Sequence, residues 1–281
     1  MARLTLMVKV RSALYMQKII AVSSSIANWR QKILERYHAK EYNYWQDRFG
    51  QVTFFGLYRP KDFLLFLLHG GERIVHWCGS DVLQAGWHYR WLQRVKAKHI
   101  CENEVEQGIL QLMLQQEIEV RPTFLSNPND FQVSFKPTQN PEVYLHVNKN
   151  SERESGYLRI RRLVPRVPEV TFHIFGRVAP EKGDCPNNVS FHGYVPEEEF
   201  NAKIKNYQCG LRLHVFDGMS EIISKSVLLG QYPISYIRYP HVDTYNTEEE
   251  LVKLLRELKN KKEPNYQARD FYLKEFTRYD S

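Results

Sequence analysis

Long apolar runs are what this chain most conspicuously lacks. The longest clean one, Phe63–Leu68, has six residues, against the ~20 that a membrane-spanning helix needs. A spanning segment is therefore not expected, and the start of the chain, with scattered Arg and Lys but no sustained apolar stretch, does not read as a secretory signal. Cysteine is scarce too. Cys78, Cys101, Cys185 and Cys209 form no CxxC pair, so they read as reduced, packed thiols of a cytoplasmic protein. His99 beside Cys101 supplies two ligand types without a second cluster, which argues against zinc. Also absent are GxSxG, a GKS or GKT phosphate loop and HExxH, which leaves serine hydrolases, P-loop enzymes and zincin proteases unsupported.

Acidic residues are short at one end only. Residues 1–140 hold 18 Lys/Arg and 12 Asp/Glu, whereas residues 141–281 hold 21 and 20. The first 36 residues carry seven basic groups against Glu35 alone. Such a field attracts anions: a membrane surface, a phosphorylated acceptor or nucleic acid. It also describes an ordinary solvated basic face.

What is present is ordinary globular composition, 43% apolar and 25% charged over 281 residues, enough for two domains. Lys18–Val22 reads as a first strand, and Ser24–Tyr44 has helical spacing through Ile26, Trp29, Ile33 and Tyr37. Further strands are expected at Gln51–Leu57, Arg73–Trp77, from Ile100 and at Ile118–Val120. Helices are expected from Pro60 to Leu68, over Gly86–Lys98 and over Val105–Gln116. Residues 126–142, with three Pro, three Asn and an Asp, form the best linker. Alternation then resumes: strands at Val143–Val147, Thr171–Phe175, Val189–His192, Gly210–His214 and Pro233–Ile237, and helices at Gly156–Val164, Glu197–Tyr207, Ser220–Gly230 and Glu248–Leu258. Strand–helix alternation implies parallel sheets. Two such runs split by a linker predict an α/β protein of two Rossmann-like domains, residues 1–138 and 139–281. Ligands would sit in the cleft at the carboxyl ends of the strands.

The strongest functional stretch is residues 210–237. A strand runs into Asp217-Gly218, a helix follows Ser220, and Gly230 and Pro233 precede the next strand. A helix N-terminus facing a cleft offers unpaired amides and a positive dipole end to a pyrophosphate. Gly218, Met219, Ser220 and Glu221 are the residues around that turn, and Asp217 is placed to accept hydrogen bonds from sugar hydroxyls. This stretch resembles the family-4-like glycosyltransferases of the GT-B type, whose hallmark is two acidic residues separated by seven. Asp217 matches the first, and Lys225 stands at the second, where a ribose-binding Glu is expected. A Lys there can only donate hydrogen bonds, so it could meet ribose or phosphate oxygens; a capped helix with a solvated Lys225 is the plainer alternative.

Other residues carry the same resemblance. Thr171–Gly176, then Val189–Val195, resembles the donor domain, which makes Tyr194 and Val195 candidates to contact the base; for Tyr194 a core position is the plainer alternative. His76–Asp81, HWCGSD, resembles the element bordering the acceptor and sugar cleft, with Asp81 the stronger candidate and His76 readable as a packed strand histidine. Lys149 and Arg153 approximate the family's phosphate-binding pair. The glycine-rich loop after the first strand is replaced by Ser23-Ser24-Ser25. No two aspartates are separated by one residue, which argues against the metal-holding DxD of single-sheet glycosyltransferases. The resemblance thus implies a metal-independent, retaining hexosyltransferase with no cofactor. A nucleotide-sugar would be the donor substrate and a glycan or lipid-linked glycan the acceptor. The first segment, with Leu4, Leu6, Met7, Val8 and Leu14 between its charges, would touch an anionic membrane peripherally. Two rivals stand beside this reading: a GT-B-like binding protein without turnover, and a nucleic-acid-binding protein using Trp29, Trp45, Trp87 and Trp91.

Overall fold

A computed structural model of the chain describes residues 17–147, 156–177 and 186–278. Within them the chain builds two six-stranded sheets in sequence. The first has strands β1 (Ile19–Val22), β2 (Lys40–Glu41), β3 (Val52–Phe55), β4 (Arg73–His76), β5 (Lys98–Cys101) and β6 (Ile118–Val120), in the order β2-β1-β3-β4-β5-β6 and parallel throughout. The second has β7 (Glu142–His146), β8 (Thr171–Phe175), β9 (Val189–Gly193), β10 (Cys209–Arg212), β11 (Ile234–Ser235) and β12 (Asp243–Thr244), in the order β12-β11-β10-β7-β8-β9, also parallel. Among the described residues ten α-helices connect or flank them: α1 (Arg30–Arg36), α2 (Tyr44–Asp47), α3 (Pro60–Leu68), α4 (Asp81–Leu92), α5 (Glu104–Leu114), α6 (Tyr157–Leu163), α7 (Glu197–Ile204), α8 (Glu221–Leu228), α9 (Glu248–Glu257) and α10 (Tyr266–Thr277).

The two-sheet α/β architecture is the one the alternation implied. Strands buried on both faces read as short Val/Ile/Phe-rich segments, and their side chains are the cores: Val52, Phe54, Val75 and Cys101 in the first sheet, and Val143, Leu145, Phe172 and Ile174 in the second. Two expectations change. The single helix over Ser24–Tyr44 is instead a 3-10 segment (Ser24–Trp29), α1, the short strand β2 and the start of α2. The helix fails because Ile26 leaves helical geometry and His38 takes φ +48°, a left-handed conformation that ends α1. The helix expected from Gly86 starts five residues earlier, at Asp81. The exposed Trp87 and Trp91 on it obscured its amphipathic period.

The proline-rich segment runs back along the second sheet rather than hanging free: Ser134 and Phe135 donate to the Leu229 carbonyl at 3.0 and 3.2 Å. Phe124 stacks on Phe276 of α10 at 5.1 Å between ring centroids, and Arg36 of α1 donates to the carbonyls of Phe124 and Phe276 at 3.0 and 2.6 Å. The end of the last helix is therefore tied to the first half of the chain.

Candidate active site

The two sheets meet at the carboxyl ends of their strands, where parallel α/β sheets place ligands. The loop after β4 and the loop after β10 come into contact there. Gly79 has φ +99°, and a Cβ there would sit 2.8 Å from the Gly218 nitrogen; a Cβ on Gly218 would overlap the Glu102 carboxylate. Hydrogen bonds cross the same seam. Glu102 Oε2 accepts from the Met219 amide at 2.7 Å, and Asn103 Nδ2 donates to the Asp217 carbonyl at 2.9 Å. Tyr239 donates its hydroxyl proton to the Gly218 carbonyl from behind.

Beside this seam lies a cavity of about 610 Å³, within the range of small-molecule sites. Its first-half wall is apolar, with Ile26, Trp29 and Tyr58, and its floor holds Glu102 and Thr123. Its second-half wall holds His146, Tyr194, Glu197, Arg212 and the run Asp217–Ile222. Ser23-Ser24-Ser25, which replaces a glycine loop, makes a capped turn that places Ile26 and Trp29. Ser23 Oγ accepts from the Ser25 amide at 3.2 Å and donates to Asp62 at 2.6 Å.

Asp217 lies in the wall at the end of β10. Arg212, on the same strand, donates to its Oδ2 through Nε at 2.8 Å and through Nη2. Arg212 is the one cation among the described residues that line the cavity. His146 and His214 nearby are held neutral, their pKa values lowered by burial and then by the Arg212 charge. The N-terminus of α8 opens into the cavity through Ser220, Glu221 and Ile222. No side chain caps it, so its first amides lack intrahelical partners. Tyr194, 90% exposed, and Val195 stand at the rim. Tyr194 is thus no core aromatic.

Lys225 does not line the cavity. It is 4% exposed, with Nζ 3.3 Å from Glu197 Oε1 and 3.3 Å from Glu221 Oε2, the latter an ion pair without hydrogen-bond geometry. The Phe200 ring lies 5.4 Å from it. Lys225 thus neutralises two carboxylates of the cavity wall from behind, and no ribose or phosphate contact is open to it in this arrangement. Glu197 also pairs with Lys32 of α1, bridging the two halves. Burial raises the Glu197 pKa, but the Lys32 and Lys225 contacts outweigh it and the net shift is downward.

The carboxylates of the first half are different. Asp81 is fully buried beneath the cavity, where Oδ1 accepts from the Cys78 amide at 2.9 Å and Oδ2 from the Leu57 amide at 3.1 Å. It ties two strand-end loops together, and burial lifts its pKa to about 7. His76 is packed against Phe55, its ring centroid 4.5 Å away, with Nε2 2.8 Å from Thr123 Oγ1. Burial lowers its pKa to about 3, so it is neutral. Neither reaches the cavity, whereas Glu102 does. Burial raises Glu102 and Glu106 above the usual carboxylate range. Lys149 and Arg153, and the basic first segment, lie outside the described residues.

One group among the described residues could hold a metal: His76, Cys78 and Glu102, whose ligand atoms lie within 4.8 Å of one another. Burial raises the Cys78 thiol well above its ordinary value, and Thr123 shares the His76 nitrogen. Glu102, Arg212 and Thr123 were not foreseen from sequence, and Trp29 was foreseen only as a stripe residue and for nucleic-acid stacking. For Glu102 a signal existed, an acid immediately after a strand, in the position Asp217 nearly occupies.

No family model matches the chain, and no curated protein matches its sequence. Solved structures do match its fold. HepE from Anabaena, solved with UDP and glucose, superposes with a TM-score of 0.61 at 10% identity, covering 92% of this chain and 95% of HepE. Sucrose-phosphate synthase from Thermosynechococcus elongatus gives 0.57 at 11% identity, with 84% and 70% covered. A TarM variant from S. aureus, solved with UDP, gives 0.55 at 12%, with 80% and 51% covered, so the chain spans about half the length of TarM. With two parallel sheets facing each other across a cleft, the chain has the GT-B fold.

Proposed function

We propose that this protein is a glycosyltransferase that moves a sugar, a hexose, from a nucleotide-sugar donor to a glycan or lipid-linked glycan, with retention and without a divalent metal. The observation that carries this is the uncapped α8 N-terminus opening into the cavity beside Arg212 and Asp217. Unpaired amides, a helix dipole and a guanidinium together suit a diphosphate. The diphosphate lies at the α8 N-terminus, the base at Tyr194 and Val195, and the sugar toward Asp217 and Glu102. UDP in the complexes of HepE and TarM supports uracil as the first base to try.

The chemistry is that of positioning and charge. As the sugar–phosphate bond breaks, negative charge grows on the departing diphosphate, where the α8 amides and Arg212 stabilise it. Asp217 accepts hydrogen bonds from the sugar hydroxyls and fixes the ring. Glu102, protonated near neutral pH, donates rather than accepts at the sugar side. Lys225 keeps Glu197 and Glu221 from repelling the donor.

A thermal-shift panel of nucleoside diphosphates and nucleotide-sugars tests the reading, because a ligand of the native state raises the melting temperature. A shift with one base family, followed by sugar transfer that survives EDTA, is expected. A flat panel contradicts it, and loss of transfer in EDTA restored by metal would move the chemistry to His76, Cys78 and Glu102. A second reading, donor binding without turnover, is favoured by the double contact of Arg212 with Asp217. It predicts a thermal shift with neither transfer nor donor hydrolysis.

A further inference from the structure

The outer face of α3 and α4 carries large apolar side chains that no other described residue covers. Along α4, Leu83, Trp87 and Trp91 recur at four-residue spacing and form one outward stripe. Trp87 is 83% and Trp91 58% exposed. Leu64 and Leu68 of α3 are exposed beside it, and the two helices touch through Phe63 and His88, whose rings lie 4.2 Å apart. Phe49, also exposed, adjoins the end of α3, where a Cβ on Gly70 would meet its ring at 2.8 Å. Monomeric proteins rarely expose contiguous apolar surface on this scale without a use for it.

The charge around this face is mostly of one sign. From Arg59 to Lys98 the chain has seven Lys/Arg and three acids. Two of those acids are turned inward: Asp62 accepts from Ser23 Oγ at 2.6 Å and caps α3, and Asp81 is fully buried. Arg90 and Arg94 flank the Trp stripe, with the Arg94 guanidinium 5.6 Å from the Trp91 ring, and no carboxylate among the described residues pairs with either. Apolar and indole groups ringed by guanidinium heads, on helices rather than in a groove, suit a flat surface with an apolar interior and negative headgroups. Indole rings favour that boundary. We propose that the α3–α4 face docks on an anionic lipid bilayer. None of its residues lines the cavity, so the proposal stands or falls apart from the donor site.

The test is flotation of the full-length chain at low salt with phosphatidylcholine vesicles, with and without phosphatidylglycerol. Wild type is expected to float with the anionic vesicles only, and lipids brominated on the acyl chain are expected to quench tryptophan fluorescence. The pair Trp87→Ser/Trp91→Ser and the pair Arg90→Glu/Arg94→Glu should each weaken binding about tenfold or more, with melting temperature and nucleotide-induced shift unchanged. Binding by both pairs equal to wild type would assign it to the basic first segment and overturn the proposal. So would equal flotation with neutral vesicles, or no flotation with either. Self-association that the Trp pair abolishes, without vesicle binding, would make the face a contact between copies and overturn it too.

Discussion

The two rims of the cleft carry comparable numbers of acids and treat them in opposite ways. On the first-half rim, Asp81, Glu102 and Glu106 are buried and have no cation in contact; burial raises all three, and they tend to stay protonated. On the second-half rim, Asp217, Glu197 and Glu221 each have a basic partner: Arg212 for the first and Lys225 for the other two. One rim therefore offers neutral hydrogen-bonding groups and the other carboxylates set against basic partners, although at Glu221 burial outweighs Lys225 and raises the pKa there too. In the proposed reaction, negative charge developing on a leaving diphosphate would be met on the charged rim, where α8 and Arg212 lie, and not among the buried acids. The comparison also explains Lys225. It stands in the ladder of pairs behind the wall, at the position where the resemblance led an acid to be expected.

The strongest way to break this contrast is Lys225→Glu, which places a third carboxylate beside Glu197 and Glu221 and leaves only Lys32, paired with Glu197, as a cation. Removing one member of a buried pair typically costs about 3–5 kcal/mol, and the half-exposed Glu197 puts this case at the lower end. Urea denaturation should show a loss of about 3 kcal/mol. A variant as stable as wild type, or one that binds nucleotide more tightly, would mean that Lys225 is not neutralising its neighbours. Next in size is Gly79→Ala, where a methyl group meets the Gly218 backbone at a φ that L-residues avoid. A cost of about 2 kcal/mol, with loosened contact between the halves by small-angle scattering, is expected. An unchanged profile would show that the rims do not touch in solution.

Glu102→Gln sharpens the comparison through pH. A carboxyl whose folded pKa is raised binds a proton in the native state that the unfolded chain has already released. Stability therefore falls as pH rises from the unfolded value near 4.5 to about 8. The Gln variant keeps a neutral side chain at that position throughout, so its stability should fall less steeply over that window; a parallel decline would exonerate Glu102. The smallest effect belongs to Lys32→Ala. Its pair with Glu197 is about half exposed on both sides, which limits its contribution to stability to less than about 1 kcal/mol. A larger loss in chemical denaturation would make it a clasp between the halves.

How much of this was legible in the sequence follows from which physics is local. Strand–helix alternation and the Asp217-Gly218 turn before α8 are local, and both sheets and the turn emerged from them. The two candidates at the end of β4 were placed at a strand's carboxyl end, but whether such a residue faces a cavity or a neighbouring loop depends on non-local packing. Asp81 turned to the amides of Leu57 and Cys78, and His76 turned to Thr123, 47 residues away. Glu102 entered the cavity because β5 lies beside β4 and faces the Met219 amide from 117 residues away, a separation no spacing reveals. The role of Lys225 depends likewise on Glu197, which is 28 residues earlier. Tyr194 is the opposite case, since a left-handed Gly193 ends β9 and turns the next residue out to solvent.

In the proposed reaction Asp217, in the cavity wall, is the acid that meets the donor sugar. Asp217→Asn keeps the shape of the side chain and removes its charge. The decisive measurement pairs calorimetric titration of this variant with the best nucleotide-sugar and a product-formation assay on the same preparation. The account predicts donor affinity within a few-fold of wild type and transfer reduced about 10²- to 10³-fold, the scale of losing one organising polar group in an active site. Transfer at the wild-type rate with a folded variant would contradict it.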